Sequence, residues 1–293
     1  MPNLRDIKKK IEAIKKIGQI TRAMNMVASA KLRSIQGRLE GFRPYKEKFE
    51  EVISQLISSG SIDPQKVSLL EQREVKRVGI LLITADRGLC GAFNANLIKE
   101  AEKKIKEVEK EGKEVELVCV GKKGYQYFAK RAKIREAYLD IMGKVLMQDA
   151  RNIARVVMSA FLAKEWDEVY VIYGYFVNII KQIPKLEKLL PLSIKFEKEG
   201  EEKKVIGAYI YEPAEEELLP QILPLYVNTL VFAAMLETAV SEQAARMTAM
   251  DNANRACGEM VQDLTLLFNK TRQAAITKEL MDIVGGAEAI KQG

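Results

Sequence analysis

The 293-residue chain contains no histidine. That excludes Ser-His-Asp and Cys-His nucleophile systems, leaves no imidazole for zinc, and removes the commonest general acid-base side chain. Mechanisms built on lysine or carboxylates stay open. Cys90, Cys119 and Cys257 are too few and too scattered for a disulfide framework or a thiolate metal site. The first two read as small apolar fillers. Neither GxGxxG nor GxxxxGK[ST] occurs, and no internal repeat is found. The longest apolar stretch, Leu225 to Leu236, is interrupted by Asn228 and Thr229 and falls short of a membrane span. Met1 to Asp6 lead straight into charged helical sequence without a secretory leader, so an intracellular protein is expected.

Charge is abundant but unevenly placed. The net charge is +7, and residues 1–60 hold 13 Lys and Arg against 6 Asp and Glu, so the remainder is neutral. A basic face carrying Lys8, Lys9, Lys10, Lys15, Lys16, Arg22, Lys31 and Arg33 calls for an acidic partner. An acidic protein surface fits better than nucleic acid, since no aromatics interleave before Phe42.

Apolar residues at Leu4, Ile7, Ile11, Ile14, Ile17, Ile20, Met24 and Val27, then Ile35, Leu39, Phe42, Phe49, Val52 and Leu56, step by threes and fours or their sums. They predict one helix over residues 1–57, kinked at Pro44. A second pattern runs from about Leu225 through Val240, Met247, Val261, Leu264, Phe268, Thr271 and Ala275 to Val284, within a helical segment 215–290. Pro213, Pro220 and Pro224 crowd its start. Neither stripe can be buried alone, so the two helices are expected to form a long antiparallel coiled coil. The second helix is the longer, and its end should project as a single helix with Ile276, Leu280, Ile283 and Val284 exposed. Such a tip needs a sleeve made by another protein.

Between them, residues 75–211 alternate strands and helices. Val78–Thr84, Val115–Val120 and Val169–Tyr173 are strand runs, and about 94–111 and 147–164 are helical. A Rossmann-like, parallel-sheet α/β insert is predicted, with Val205–Tyr211 a further candidate strand. The turn Asp86-Arg87-Gly88-Leu89-Cys90-Gly91 lies where α/β enzymes hold phosphates, but reads better as a tight turn. Gly121-Lys122-Lys123-Gly124 resembles a phosphate loop only superficially.

Four segments carry more than periodicity. Ile20-Thr21-Arg22-Ala23-Met24-Asn25-Met26-Val27-Ala28-Ser29-Ala30-Lys31, Thr84–Asn94, Ser241–Met250 and Asn269–Ala287 resemble the gamma subunits of F-type ATP synthases along the whole chain. The resemblance implies a rotating shaft without a catalytic site or cofactor of its own, inside a ring of alpha and beta subunits. It implies an insert that meets the epsilon subunit and the c ring, at the cytoplasmic face of a bacterial membrane. Proton flow would be coupled in this way to ATP synthesis or hydrolysis on beta, and ATPase activity regulated. By the same resemblance Arg272, Gln273 and Thr277 match a beta-subunit catch contact. Met24 matches a position near an acidic beta loop, and Ile276, Leu280, Ile283 and Val284 an apolar bearing. The stretch 196–204 has no cysteine, so the thiol regulation of plant chloroplast relatives is not expected. Rival readings are a nucleotide enzyme with helical arms, a nucleic-acid-binding arm, and a passive coiled-coil scaffold.

Overall fold

The computed structural model describes residues 3–58, 67–193 and 215–291. The expected strand at 205–211, the cysteine-free stretch 196–204 and Pro213 lie outside these residues. The chain is an α/β protein in which two long terminal helices bracket an inserted sheet domain. These helices are α1 (Leu4–Ser58), continuous through Pro44, and α5 (Glu215–Lys291). Contacts divide the chain into two compact units, residues 1–28 with 247–293, and residues 29–246.

In the first unit the Asn25 side-chain amide donates to the Met247 carbonyl at 2.8 Å, and Gly18 faces Cys257 and Asn254. Lower numbers on α1 meet higher numbers on α5, so the pair is antiparallel. The same sense holds in the second unit, where Phe42 packs edge-on against Phe232 (4.9 Å) and Phe49 against Tyr226 (5.8 Å).

The seam differs from the predicted one at its centre. Side chains at least half-buried on α1 recur at Leu4, Ile7, Ile11, Ile14, Gly18, Thr21, Asn25, Ala28, Leu32, Ile35, Leu39 and Phe42, alternating steps of three and four. That is the 3.5-residue period of a left-handed coiled coil. Ile14, Ile17 and Ile20 step only by threes and walk off it. Ile17, Ile20 and Val27 therefore point outward, 50%, 59% and 57% exposed, while small or polar residues hold the seam. On α5 the partner stripe is Cys257, Val261, Leu264, Phe268, Thr271 and Ala275.

The insert is a five-stranded sheet of order β3-β2-β1-β4-β5. Its strands are β1 (Arg77–Ile83), β2 (Glu114–Val120), β3 (Ile134–Tyr138), β4 (Glu168–Phe176) and β5 (Gln182–Leu190). β1 pairs in parallel with β2 and β4, β2 in parallel with β3, and β5 runs antiparallel at the edge beside β4. β1 is buried on both faces after Arg77, which explains its unbroken apolar run. The crossovers carry α2 (Phe93–Lys110), α3 (Lys122–Phe128) and α4 (Met147–Leu162). Phe93, Leu97 and Ala101 of α2 join Ile80, Leu82, Leu117, Cys119 and Ile172 in one core.

α3 and β3 have no counterpart in the sequence reading. The superficially phosphate-like Gly121-Lys122-Lys123-Gly124 is the start of α3. Gly121 has φ +90°, and a Cβ there would lie 2.1 Å from the Thr84 carbonyl. Gly124 packs on Thr84, whose hydroxyl accepts its N–H at 2.9 Å. Both glycines serve close packing of α3 on β1. α5 begins about ten residues before its apolar period, with Pro220 and Pro224 inside the helix rather than ahead of it. Its apolar stretch is long enough to cross a membrane by hydropathy, yet Val227, Val231, Met235, Leu236 and Val240 are buried in the protein.

Candidate functional site

In doubly wound sheets a ligand crevice opens at the carboxyl ends of the strands where strand order reverses. Here that point lies between β1, which leads to β2, and β4 on its other side. It is filled by α5. The Thr238 hydroxyl accepts the Gly174 N–H at 3.2 Å, and the Ser241 hydroxyl donates to the Gly174 carbonyl at 3.0 Å. The Glu237 carboxylate accepts the Phe176 N–H at 3.0 Å and pairs with Arg43 at 3.1 Å. A side chain at 174 could not be accommodated, because a Cβ would stand 2.6 Å from the Phe93 ring.

One turn further, Arg246 closes the crevice above the turn 86–91. Its Nη2 donates to the carbonyls of Gly88 (3.2 Å) and Arg87 (3.4 Å) and to Glu242 at 2.6 Å. Both members of the pair are nearly buried. Burial pushes the Glu242 carboxyl above its ordinary range, and Arg246 opposes that rise without cancelling it. The sequence reading gives Gln243 and Arg246 a family resemblance and interhelical polar contacts, whereas Arg246 here binds the turn at 87–88. The signal was Glu242 and Arg246 one helical turn apart, in a stretch that also carries Glu237, Thr238, Ser241 and Gln243.

The turn itself is a structural staple. The Asp86 carboxylate accepts N–H bonds from Lys122, Asp140 and Met142, each at 3.0 Å. The Asn94 side chain accepts the Ala85 N–H at 3.0 Å. Leu89 and Gly91 have φ of 63° and 58°, as a tight turn requires. Burial raises the Cys90 thiol and pushes Cys119 up to about 12, so neither is an activated nucleophile. At the opposite ends of the strands a polar cavity of about 300 Å³ is lined by Arg77, Glu116, Lys133, Arg135, Glu165 and Trp166. Its charges neutralise one another: Glu116 pairs with Lys133 and Arg135, and Arg135 with Glu165.

The residues singled out at the termini lie on the helix surfaces. Arg272, Gln273 and Thr277 are exposed on α5, and the Thr277 hydroxyl donates to the Gln273 carbonyl at 2.9 Å. Ile276, Leu280, Ile283 and Val284 are 50%, 57%, 68% and 57% exposed. Every position from 276 to 287 is exposed. At the observed pairing, Leu4 comes level with about residue 270, and α5 has no α1 alongside beyond it. Met24 is half-buried, whereas Lys8, Lys9, Lys10, Lys15, Arg22, Lys31 and Arg33 are exposed. Among the described residues none of these seven cations forms an ion pair.

An antiparallel coiled coil with an inserted Rossmann-like domain, whose crevice is occupied by the chain's own helix, defines the class. The family model described as ATP synthase matches residues 3–290. The ATP synthase gamma chain of Desulfotalea psychrophila is 50% identical over 293 residues, covering 99% of this chain and 100% of that one. That of Maridesulfovibrio salexigens is 51% identical with the same coverage. Among solved structures, the central stalk and c-ring part of Tetrahymena thermophila mitochondrial ATP synthase aligns with TM-score 0.59 and 26% identity. It covers 80% of this chain and 99% of its own. A Euglena gracilis mitochondrial ATP synthase rotor chain shares the fold, with TM-score 0.65 and 23% identity over 93% of this chain and 98% of its own. The chain belongs to the ATP synthase gamma-chain family.

Proposed function

We propose that this chain is the central rotor shaft of a bacterial ATP synthase, with no catalytic site of its own. It couples proton flow through the membrane sector to ATP synthesis or hydrolysis on the beta subunits, and so regulates ATPase activity. The observation that carries the reading is the end of α5. A run of exposed Ile276, Leu280, Met281, Ile283 and Val284 continues past the first residues of α1. Unpaired apolar helix of this kind requires a surrounding partner. A ring of alpha and beta subunits supplies one, and the ring can turn about a tip that has few charges to pin it.

In this reading residues 1–57 and 215–290 form the shaft, and 75–211 the collar that meets the epsilon subunit and the c ring. Arg272, Gln273 and Thr277 make the catch contact with beta, Met24 faces its acidic loop, and the α1 cations are that loop's charge partners. Nucleic acid is not a partner. The chain reaches the cytoplasmic face of the membrane only through the complex, and no cofactor is called for. The closed crevice at the switch point favours this over a nucleotide enzyme, because α5 would have to leave before a ligand could enter.

The test mixes the purified chain with alpha and beta subunits from the same source. A stoichiometric complex with ATPase activity is expected, and Arg272→Ala with Gln273→Ala should reduce that activity without preventing folding. Removal of the residues after Ala275 should uncouple ATP hydrolysis from proton transport in the membrane-bound complex. A chain that stays apart from competent alpha and beta subunits would sink the reading.

A further inference from the structure

Within the second unit α1 is held by more than its apolar seam. Leu39 is buried and Phe42 meets Phe232, but apolar contacts have no preferred direction and resist rolling of a helix poorly. Arg38 and Arg43 lie five residues apart, about 140° around the helix, and so flank that seam on opposite sides. On one side the Arg38 Nη2 donates to the Val145 carbonyl at 2.6 Å, in the segment that leads into α4. On the other the Arg43 Nη2 donates to Glu237 Oε1 at 3.1 Å.

Both partners are fixed. Val145 is buried, and its segment is bound to the Asp86 carboxylate through the N–H groups of Asp140 and Met142. Glu237 is 7% exposed, and its second oxygen accepts the Phe176 N–H at 3.0 Å. Arg43 therefore reaches α5 and β4 through one carboxylate. The basic face read from the sequence ends at Arg33, and neither arginine belongs to it.

We propose that Arg38 and Arg43 are positioning residues that stop α1 from rolling on the insert, so that torque passes between insert and coiled coil through both helices rather than through α5 alone. The inference rests on the reading of the chain as a shaft. Thr238, Ser241 and Arg246 hold α5 to the sheet, and the two arginines are their counterpart on α1. Guanidinium hydrogen bonds are directional, and one on each side of the seam opposes rotation in either sense. Both residues are exposed, so they contribute more to placement than to stability.

The test is single-molecule rotation of the full chain assembled with alpha and beta subunits, with beta fixed to a surface and a bead on the insert. Angular fluctuations of the bead during pauses report torsional stiffness. Arg38→Met with Arg43→Met should lower the stiffness toward half of the parent's, because one of two parallel rigid elements no longer carries load. Arg38→Lys with Arg43→Lys keeps a cationic donor on each side and should recover most of it. ATPase activity and the urea midpoint read from Trp166 should change little, which a purely stabilising role would not allow. Stiffness of the double Met variant equal to the parent's, or a Lys pair as soft as the Met pair, would overturn the proposal. If the double Met variant does not assemble, the single Met variants decide in the same way, each being expected to fall between the parent and half. A parent bead that never turns in an active complex would instead overturn the shaft reading, and this inference with it.

Discussion

Replacing Arg246 by Met tests the joint between α5 and the sheet. The guanidinium holds two backbone carbonyls and Glu242, and the side chains of the pair are only 10% and 6% exposed. Removing one partner of a buried pair costs about 3–5 kcal/mol, because the other charge is left without compensation. Glu242→Leu alongside Arg246→Met removes that stranded charge and should recover at least half of the loss. The chain's single tryptophan, Trp166, is buried in the same unit, so its fluorescence during urea unfolding reports the joint's own domain. The pH dependence has a definite sign. A carboxyl whose folded pKa is raised above 4.5 favours folding most below that value, and its contribution is lost as pH rises through the folded pKa. Asp86 reinforces this rise, and Lys31 opposes it beside Arg246. With Arg246 gone the penalty should be greater at about pH 8 than at about pH 5. A single variant within about 0.5 kcal/mol of the parent, or a double variant no more stable than the single, would refute the argument.

Other expectations follow from the same geometry. Burial raises the Glu116 carboxyl, but hydrogen bonds from Lys133, the Trp166 indole and Arg135 outweigh it and leave it below 4.5. Its contribution is therefore present above 4.5 and lost as pH falls through the lowered value, so Glu116→Gln should destabilise at neutral pH and approach the parent in acid, measured by urea midpoints. Gly79→Ala would set a Cβ 2.4 Å from the Trp166 ring and should cost about 1–3 kcal/mol, with the tryptophan emission shifted to the red. In the coiled coil, Ile20→Gln should leave the thermal unfolding of the free chain nearly unchanged, since Ile20 is 59% exposed. Ile7→Ala, at a position 3% exposed, should cost about 2–5 kcal/mol in the same circular-dichroism melt.

The two long helices were legible because a stripe of apolar side chains spaced by threes and fours has few other uses. The seam through residues 17–27 was not. A run of isoleucines outranks Gly18, Thr21 and Asn25 on any scale of hydrophobicity, and only the persistence of the 3.5-residue period from Leu4 to Phe42 shows which set faces the partner. β1, β2 and β4 were legible as apolar runs, whereas β3, a five-residue edge strand with Arg135 and Glu136 at its centre, carries no such signal. The Asp86 turn gave its type through glycine spacing. Its anchoring of Lys122, Asp140 and Met142 depends on contacts up to 56 residues apart in sequence, which no local pattern encodes.

The closed crevice gives the α/β insert a reason to exist in a chain read as a shaft. A parallel sheet presents its backbone N–H and C=O groups at the switch point, where other members of the architecture receive phosphates. Here Gly174 and Phe176 offer those groups to Thr238, Ser241 and Glu237, and the turn at 87–88 offers its carbonyls to Arg246. Five side-chain contacts along less than three turns of α5 resist both sliding and rotation of that helix against the sheet. Hydrophobic packing alone would resist sliding less well, because apolar surfaces lack directional contacts. A polar joint on rigid backbone is what a torque-bearing connection needs, and it uses the site at which an enzyme of the same fold would bind its substrate.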